Sequence, residues 1–225
     1  MNFISSAKQR NTVINPGQYY MKIFFDFVVS LIALILLIPS FLTIGIIIKL
    51  DDYGPVFFRQ KRVGKNGKLF TIYKFRTMRV NHADSGNDFE PGNTSRISRA
   101  GKLLRKYKID ELPQFVNVLK GEMSIVGPRP EVKEWVQFYP ERWNSILKIK
   151  PGITDNASLI YCNEEKLLAE SRNSKQEYLN NILPRKLDLY EDYLQNHSII
   201  KDIKIIFSTL RILYWKEYKL KQDKS

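Results

Sequence analysis

Two adjacent carboxylates, Asp110 and Glu111, sit in the stretch Ile109-Asp110-Glu111-Leu112-Pro113-Gln114, between a strongly basic segment and Gly127-Pro128-Arg129-Pro130. Successive side chains on a helix diverge by ~100°, so one carboxylate can face a reacting centre while the other caps, holds a metal or orients its neighbour. An ionised Asp can attack phosphorus to give an acyl phosphate. Phosphoryl groups repel an incoming carboxylate, so such a site needs cations around it. Lys74 and Arg76 alternate with apolar residues, as a phosphate-facing pair would, and Arg105 lies five residues before Asp110. Arg129, nineteen residues after Asp110, is held between two prolines, which suits a phosphate fork. The plainer alternative is a helix-capping Asp110 and a solvated Glu111, and residue types alone leave both open.

The elements that must position these groups can be read in order. Residues 1–21 are polar, with a turn at Asn15-Pro16-Gly17, and read as a loosely held arm. From Ile23 to Ile48 the chain is almost wholly apolar, with Asp26 the one charge inside, between Lys22 and Lys49. These twenty-six residues would form ~39 Å of helix against a hydrocarbon core of ~30 Å. The run is too long for a signal peptide and no small-residue cleavage site follows it. Pro39 removes a backbone bond to Ile35, and Ser40 can bond a freed carbonyl one turn back. Lys8, Arg10 and Lys22 precede the run, and Lys49, Arg59, Lys61 and Arg62 follow it, so both flanks carry a cytoplasmic signature. A hairpin that dips in and returns fits, and so does a Pro-kinked spanning helix.

Pro55–Gly64 and Lys68–Met78 read as a β-hairpin around Gly64-Lys65-Asn66-Gly67. Arg59 to Arg79 holds eight Lys or Arg and no acid, the pattern of a solvated or headgroup-facing surface. Residues 80–95 read as a mobile loop. A basic helix is expected over Arg99–Lys108, then a second with Asp110 as N-cap running to about Lys120, Pro113 in its first turn. Glu131–Phe138 and Glu141–Leu147 are short helices anchored by Trp135 and Trp143, and Lys150–Thr154 is a turn. Helices follow over Glu164–Glu170 and Lys175–Leu194, the latter interrupted near Pro184. Ile199–Trp215 places Ile199, Ile203, Ile206, Leu210 and Leu213 on one stripe, suited to a core or a membrane interface.

A formal charge of +13 implies an anionic partner. Cys162 is the only cysteine, and His82 and His197 are the only histidines. An intramolecular disulfide is excluded and Cys- or His-rich zinc sites are disfavoured, so a catalytic metal would take oxygen ligands: magnesium, with manganese as the alternative.

The run Ile109 to Pro130 resembles the signature of the bacterial sugar transferases, the monotopic polyprenyl-phosphate phosphoglycosyl transferases. The likeness includes Gly54–Gln60, Tyr73–Met78, Arg96–Arg105, Lys150–Thr154 and Ser198–Asp202, and covers Lys22 to Leu213. It implies an α+β, mainly helical fold: a re-entrant membrane helix hairpin (22–49) broken at Pro39 and Ser40, a small β-hairpin, and interfacial amphipathic helices around a cytosolic active site. The core would span 50–215, ahead of a basic tail over 216–225, as a minimal catalytic unit on the bacterial inner membrane. The resemblance maps a nucleophile onto Asp110, its dyad partner onto Glu111 with magnesium beside them, and phosphate-binding cations onto Lys74, Arg105 and Arg129. The implied reaction moves sugar-1-phosphate from a UDP-sugar to undecaprenyl phosphate through a covalent Asp110 intermediate, releasing UMP and initiating a surface glycan. Membrane lipids are expected partners and nucleic acid is not; the sugar and the oligomeric state, a homodimer included, are left open. Three departures stand out: Pro39-Ser40 reverses the usual Ser-Pro order, Glu122 replaces a common Asp, and Asp155-Asn156-Ala157-Ser158 replaces a frequent Gly-Trp-Ala-Gln. The alternative is a membrane-anchored basic scaffold that binds anionic partners without catalysis.

Overall fold

The computed structural model describes residues 16–79 and 96–222, with backbone only at 16 and 215–222. The arm over 1–15, the expected loop over 80–95 and the last three residues lie outside the described residues, as do the side chains of the basic tail.

Helix α1 runs from Pro16 to Asp51. It takes in Pro16–Met21, which the sequence assigned to the arm, and continues through Pro39. The Thr43 hydroxyl donates to the Pro39 carbonyl one turn back (3.0 Å). Most of its length is uncovered: Ile35, Leu36, Ile38, Leu42 and Ile46 are exposed. Among the described residues α1 is the one helix long and apolar enough to cross a membrane. Both of its ends, however, dock on the same body. Near the start, Phe25 and Val29 pack against the cluster of Ile72, Val118, Met123 and Ile125. Near the end, Ile48, with Phe41 and Ile44 beside it, packs with Phe75 and Leu104.

Strands β1 (Phe57–Val63) and β2 (Leu69–Phe75) form the expected antiparallel hairpin, Phe57 opposite Phe75 and Val63 opposite Leu69. The connection turns on Asn66 and Gly67, both at positive φ, which the Asn-Gly pair accommodates. Helix α2 (Arg99–Lys106) is capped by Ser98, whose hydroxyl accepts from Gly101 N. Helix α3 (Gln114–Leu119) begins after Pro113. It is shorter than expected, because Asp110 does not cap it: Ile109–Glu111 form a separate single 3₁₀ turn entered through Lys108 at φ 56°.

Strand β3 (Ser124–Val126) follows, then short helices α4 (Lys133–Val136) and α5 (Pro140–Ile146). Trp135 and Trp143 are buried as expected. The turn expected at Lys150–Thr154 is instead strand β4 (Gly152–Thr154), parallel to β3 with Ser124 opposite Gly152. A Cβ on Gly152 would collide with the backbone of Gly127, so this close approach requires glycine. Helices α6 (Asn156–Ile160), α7 (Glu164–Glu170) and α8 (Ser174–Glu177) come next. The interruption expected near Pro184 is a π-helical turn, Tyr178–Ile182, leading into α9 (Leu183–Asn196). These helices enclose a core built on Trp143, Ala157, Leu183, Leu187 and Tyr190.

Helix α10 spans Ile199–Gln222. Its buried face is Asp202 and Ile205, not the apolar stripe read from the sequence; Ile203 and Leu210 of that stripe, with Ile200, Phe207 and Tyr214, are exposed. Mainly helical with small sheets, the architecture matches the α+β expectation in outline.

Candidate active site

Four elements bring the charged residues together. β2 alternates its side chains, so Lys74 faces opposite to Tyr73 and reaches the 3₁₀ turn. Its Nζ donates to Glu111 Oε1 at 2.8 Å. The β3–β4 pairing fixes the loop carrying Arg129: Gly127 N donates to Thr154 O and Gly152 N to Pro128 O. Arg129 then grips Glu111 through both nitrogens, Nη2 to Oε1 at 2.5 Å and Nη1 to Oε2 at 3.2 Å. Glu111 is therefore saturated by two cations. α3 is pinned to β2 by Asn117, which receives from Tyr73 N and donates to Thr71 O and to Glu122. Glu122, in place of the common Asp, thus has a holding role.

Asp110 is handled differently. It is buried, and its Oδ1 has no hydrogen-bond partner among the described residues. Burial pushes its carboxyl up, against the pull of Lys74, Lys108 and Arg105. Burial would also raise Glu111, but Arg129 and Lys74 outweigh it and hold that carboxyl well below the usual range. Burial pushes Lys74 down despite Glu111, while Glu111 drives Arg129 well above its ordinary value. A carboxylate with one oxygen unengaged, beside a clamped neighbour and two fixed cations, can receive an electrophilic phosphorus or a metal ion.

The remaining candidates fall into three groups. Arg105 stands next to the site through its charge on Asp110, while its guanidinium bonds Thr77 Oγ1 (2.9 Å) and Glu165 (3.2 Å). Arg76 is turned away to Asp52, the residue just past α1 (2.8 Å), and the structure does not bring it to the dyad. Pro39 and Ser40 lie in the exposed middle of α1. Sequence reasoning missed Lys108, which acts on both carboxylates; its place two residues before Asp110 was the available signal. It also missed the buried group behind Arg129. There Glu131 accepts from Tyr178 and lies 3.6 Å from Arg62 and 3.8 Å from Lys186, itself 2.8 Å from Glu164. Asp155, flagged by its departure from the family pattern, caps α6, accepting from Ser158 N and Oγ at 2.8 Å each.

Residues 17–216 match the family model described as bacterial sugar transferase, so the chain belongs to that family. It is 36% identical over 202 residues to the UDP-N-acetylgalactosamine-undecaprenyl-phosphate N-acetylgalactosaminephosphotransferase of Aeromonas hydrophila, covering 88% of this chain and 45% of that protein. With the UDP-glucose:undecaprenyl-phosphate glucose-1-phosphate transferase of Escherichia coli it shares 34% identity over 213 residues, 93% of this chain and 44% of that one. The chain thus spans less than half the length of these two relatives. It aligns with 93% of the exopolysaccharide production protein PSS of Rhizobium leguminosarum bv. phaseoli, at 38% identity over 204 residues and 84% of this chain.

Proposed function

We propose that the protein is a membrane-bound phosphoglycosyl transferase that moves sugar-1-phosphate from a UDP-sugar to undecaprenyl phosphate, starting a surface polysaccharide. The observation that carries this reading is the unpartnered Oδ1 of Asp110 beside a Glu111 locked by Lys74 and Arg129. The Asp110 carboxylate attacks the phosphorus next to the sugar, the bond from that phosphorus to the UMP oxygen breaks, and UMP leaves with the electron pair. The phosphate oxygen of undecaprenyl phosphate then attacks the same phosphorus, the acyl-phosphate bond breaks, and Asp110 is regenerated. Lys74, Arg105 and Arg129 neutralise the phosphates.

A divalent cation, magnesium or manganese, fits Asp110 but not the dyad as a whole, because both Glu111 oxygens are engaged by cations. Such ions commonly bind through one or two carboxylates plus substrate phosphates, where they would screen the diphosphate charge. Glu111's part is to hold Lys74 and Arg129 in place.

Re-entry of α1 on the cytoplasmic side is supported by its exposed apolar middle and by the docking of both ends on one body. A straight helix of 36 residues would be ~54 Å long, more than a bilayer core requires. The exposed apolar residues of α10 suit an interface beside it.

The test is release of UMP from UDP-sugars by the full chain with undecaprenyl phosphate. Asp110→Asn should lower it at least ~10³-fold. Undiminished turnover removes Asp110 as nucleophile, and UDP as product makes the protein an ordinary glycosyltransferase. Tags at both termini should be accessible from the cytoplasm.

A further inference from the structure

We propose that a trough between α1 and the β-hairpin binds one anionic membrane phospholipid, its acyl chain in the trough and its headgroup phosphate between Arg59 and Lys120. The trough has a volume of about 440 Å³, with Ile35, Ile38, Phe41, Phe57 and Val116 among its walls. One wall is the exposed apolar middle of α1, so the trough belongs to the same apolar phase as that stretch of the helix. At its rim the Tyr73 ring has two cations near it. The Arg59 guanidinium is 5.7 Å from the ring centre and the Lys120 ammonium 4.6 Å, with Lys120 Nζ also donating to the Tyr73 hydroxyl at 2.9 Å.

Glu122, the acid whose charge Lys120 feels, is itself engaged with Asn117. Neither Arg59 nor Lys120 forms an ion pair among the described residues, so the rim presents two positive charges next to an apolar channel. That pairing matches a phosphate joined to a hydrocarbon chain, whereas a zwitterionic lipid brings its own cation to the same place. The polyprenyl substrate is a poorer occupant. Tyr73 and Lys74 are neighbours in β2 and point to opposite faces, and it is Lys74 that meets Glu111. A phosphate held at Arg59 and Lys120 therefore sits on the Tyr73 side of β2, away from the Lys74 ammonium, although Pro113 brings the trough wall to within three residues of Asp110.

Native mass spectrometry of the full chain in neutral detergent tests this without requiring turnover. Dioleoylphosphatidylglycerol should be retained as a single adduct at least tenfold more tightly than dioleoylphosphatidylcholine. The double variant Arg59→Gln with Lys120→Gln should remove that preference, and Ile38→Trp, which fills the trough, should weaken both lipids; unchanged melting temperatures confirm that the variants fold. Equal retention of the two lipids, or retention indifferent to the double variant, overturns the proposal. So does displacement by inorganic phosphate, which means a simple anion site, or one-for-one displacement by undecaprenyl phosphate, which assigns the trough to the substrate.

Discussion

Around Lys22, where α1 meets β3 and α10, the buried carboxylates are saturated. Asp26 accepts from Ser124 Oγ at 2.7 Å and Ile125 N at 3.2 Å, and Asp202 accepts from Lys22 Nζ and Tyr193 OH at 2.6 Å each. Lys22 also donates to Val126 O. Around Asp110 the same kinds of residue are gathered, but saturation stops at Glu111. Asp110 Oδ1 is the one carboxylate oxygen among the buried unpartnered side-chain atoms of the described residues. Both clusters meet the electrostatic cost of burial with cations, yet only one leaves an acceptor for something else. A complete hydrogen-bond set fixes a helix in place, and an incomplete one is a docking point for chemistry.

The sharpest way to break this contrast is at Glu111. Glu111→Gln keeps the shape and removes the charge that Lys74 and Arg129 share. Turnover should fall on the order of 10²-fold, as when a fixed electrostatic group is removed from a reacting centre. Stability should fall too, with a defined pH dependence. The Glu111 carboxyl is depressed in the folded protein, so its contribution is present above the ordinary value of 4.5 and is lost as pH falls through the folded one. Melting of the variant and the parent should therefore converge in acid. Equal turnover would mean that the clamp only holds structure.

The anchor should respond in the opposite way. Lys22→Met leaves Asp202, 1% exposed, without its ammonium, which costs about 3 kcal/mol for a broken buried pair. The folded fraction should bind UDP-sugar with unchanged affinity, measured by calorimetry below the melting transition. A large affinity loss with intact melting would mean that the two clusters are one network.

What the sequence made legible was local. Strand alternation put Lys74 on one face of β2, adjacent prolines fixed the direction of Arg129, and the Asn66-Gly67 pair marked the hairpin. What it hid was pairing over distance. Lys22 and Asp202 are 180 residues apart, and Asp26 and Ser124 are 98 apart. No local pattern distinguishes these charges from solvated ones. Alternation puts Arg76 on the face of Lys74 and so suggests a phosphate ligand, but Asp52, just past the end of an apolar helix, has the nearer claim. The β3–β4 pair escaped because three-residue strands show no alternation. Asp110 looked like a helix cap because Pro113 so often opens a helix; here the positive φ of Lys108 gives the dyad a turn of its own.

Two smaller effects sharpen the comparison. Tyr193→Phe removes one donor from Asp202 while Lys22 remains, so it should cost about 1–2 kcal/mol, read from chemical denaturation, and leave turnover unaltered.

The last effect has the other sign. Asp110 is raised in the folded protein, so the native state holds its proton more tightly than the unfolded chain does. Below the ordinary value of 3.8 both states are protonated and nothing is lost. As pH rises toward the folded value, ionisation progressively costs stability, and above it that cost is complete. Asp110→Asn removes a buried charge and leaves a neutral amide, which is less costly to bury. The inactive variant should therefore melt at a higher temperature than the parent at pH 8, and the gap should close as pH falls to about 4. A matching substitution at the anchor, Asp202→Asn, should lower the melting temperature at pH 8, because that carboxylate is fully engaged. Opposite signs for two buried Asp→Asn changes would separate an oxygen held for structure from one held for reaction, and equal signs would remove the distinction.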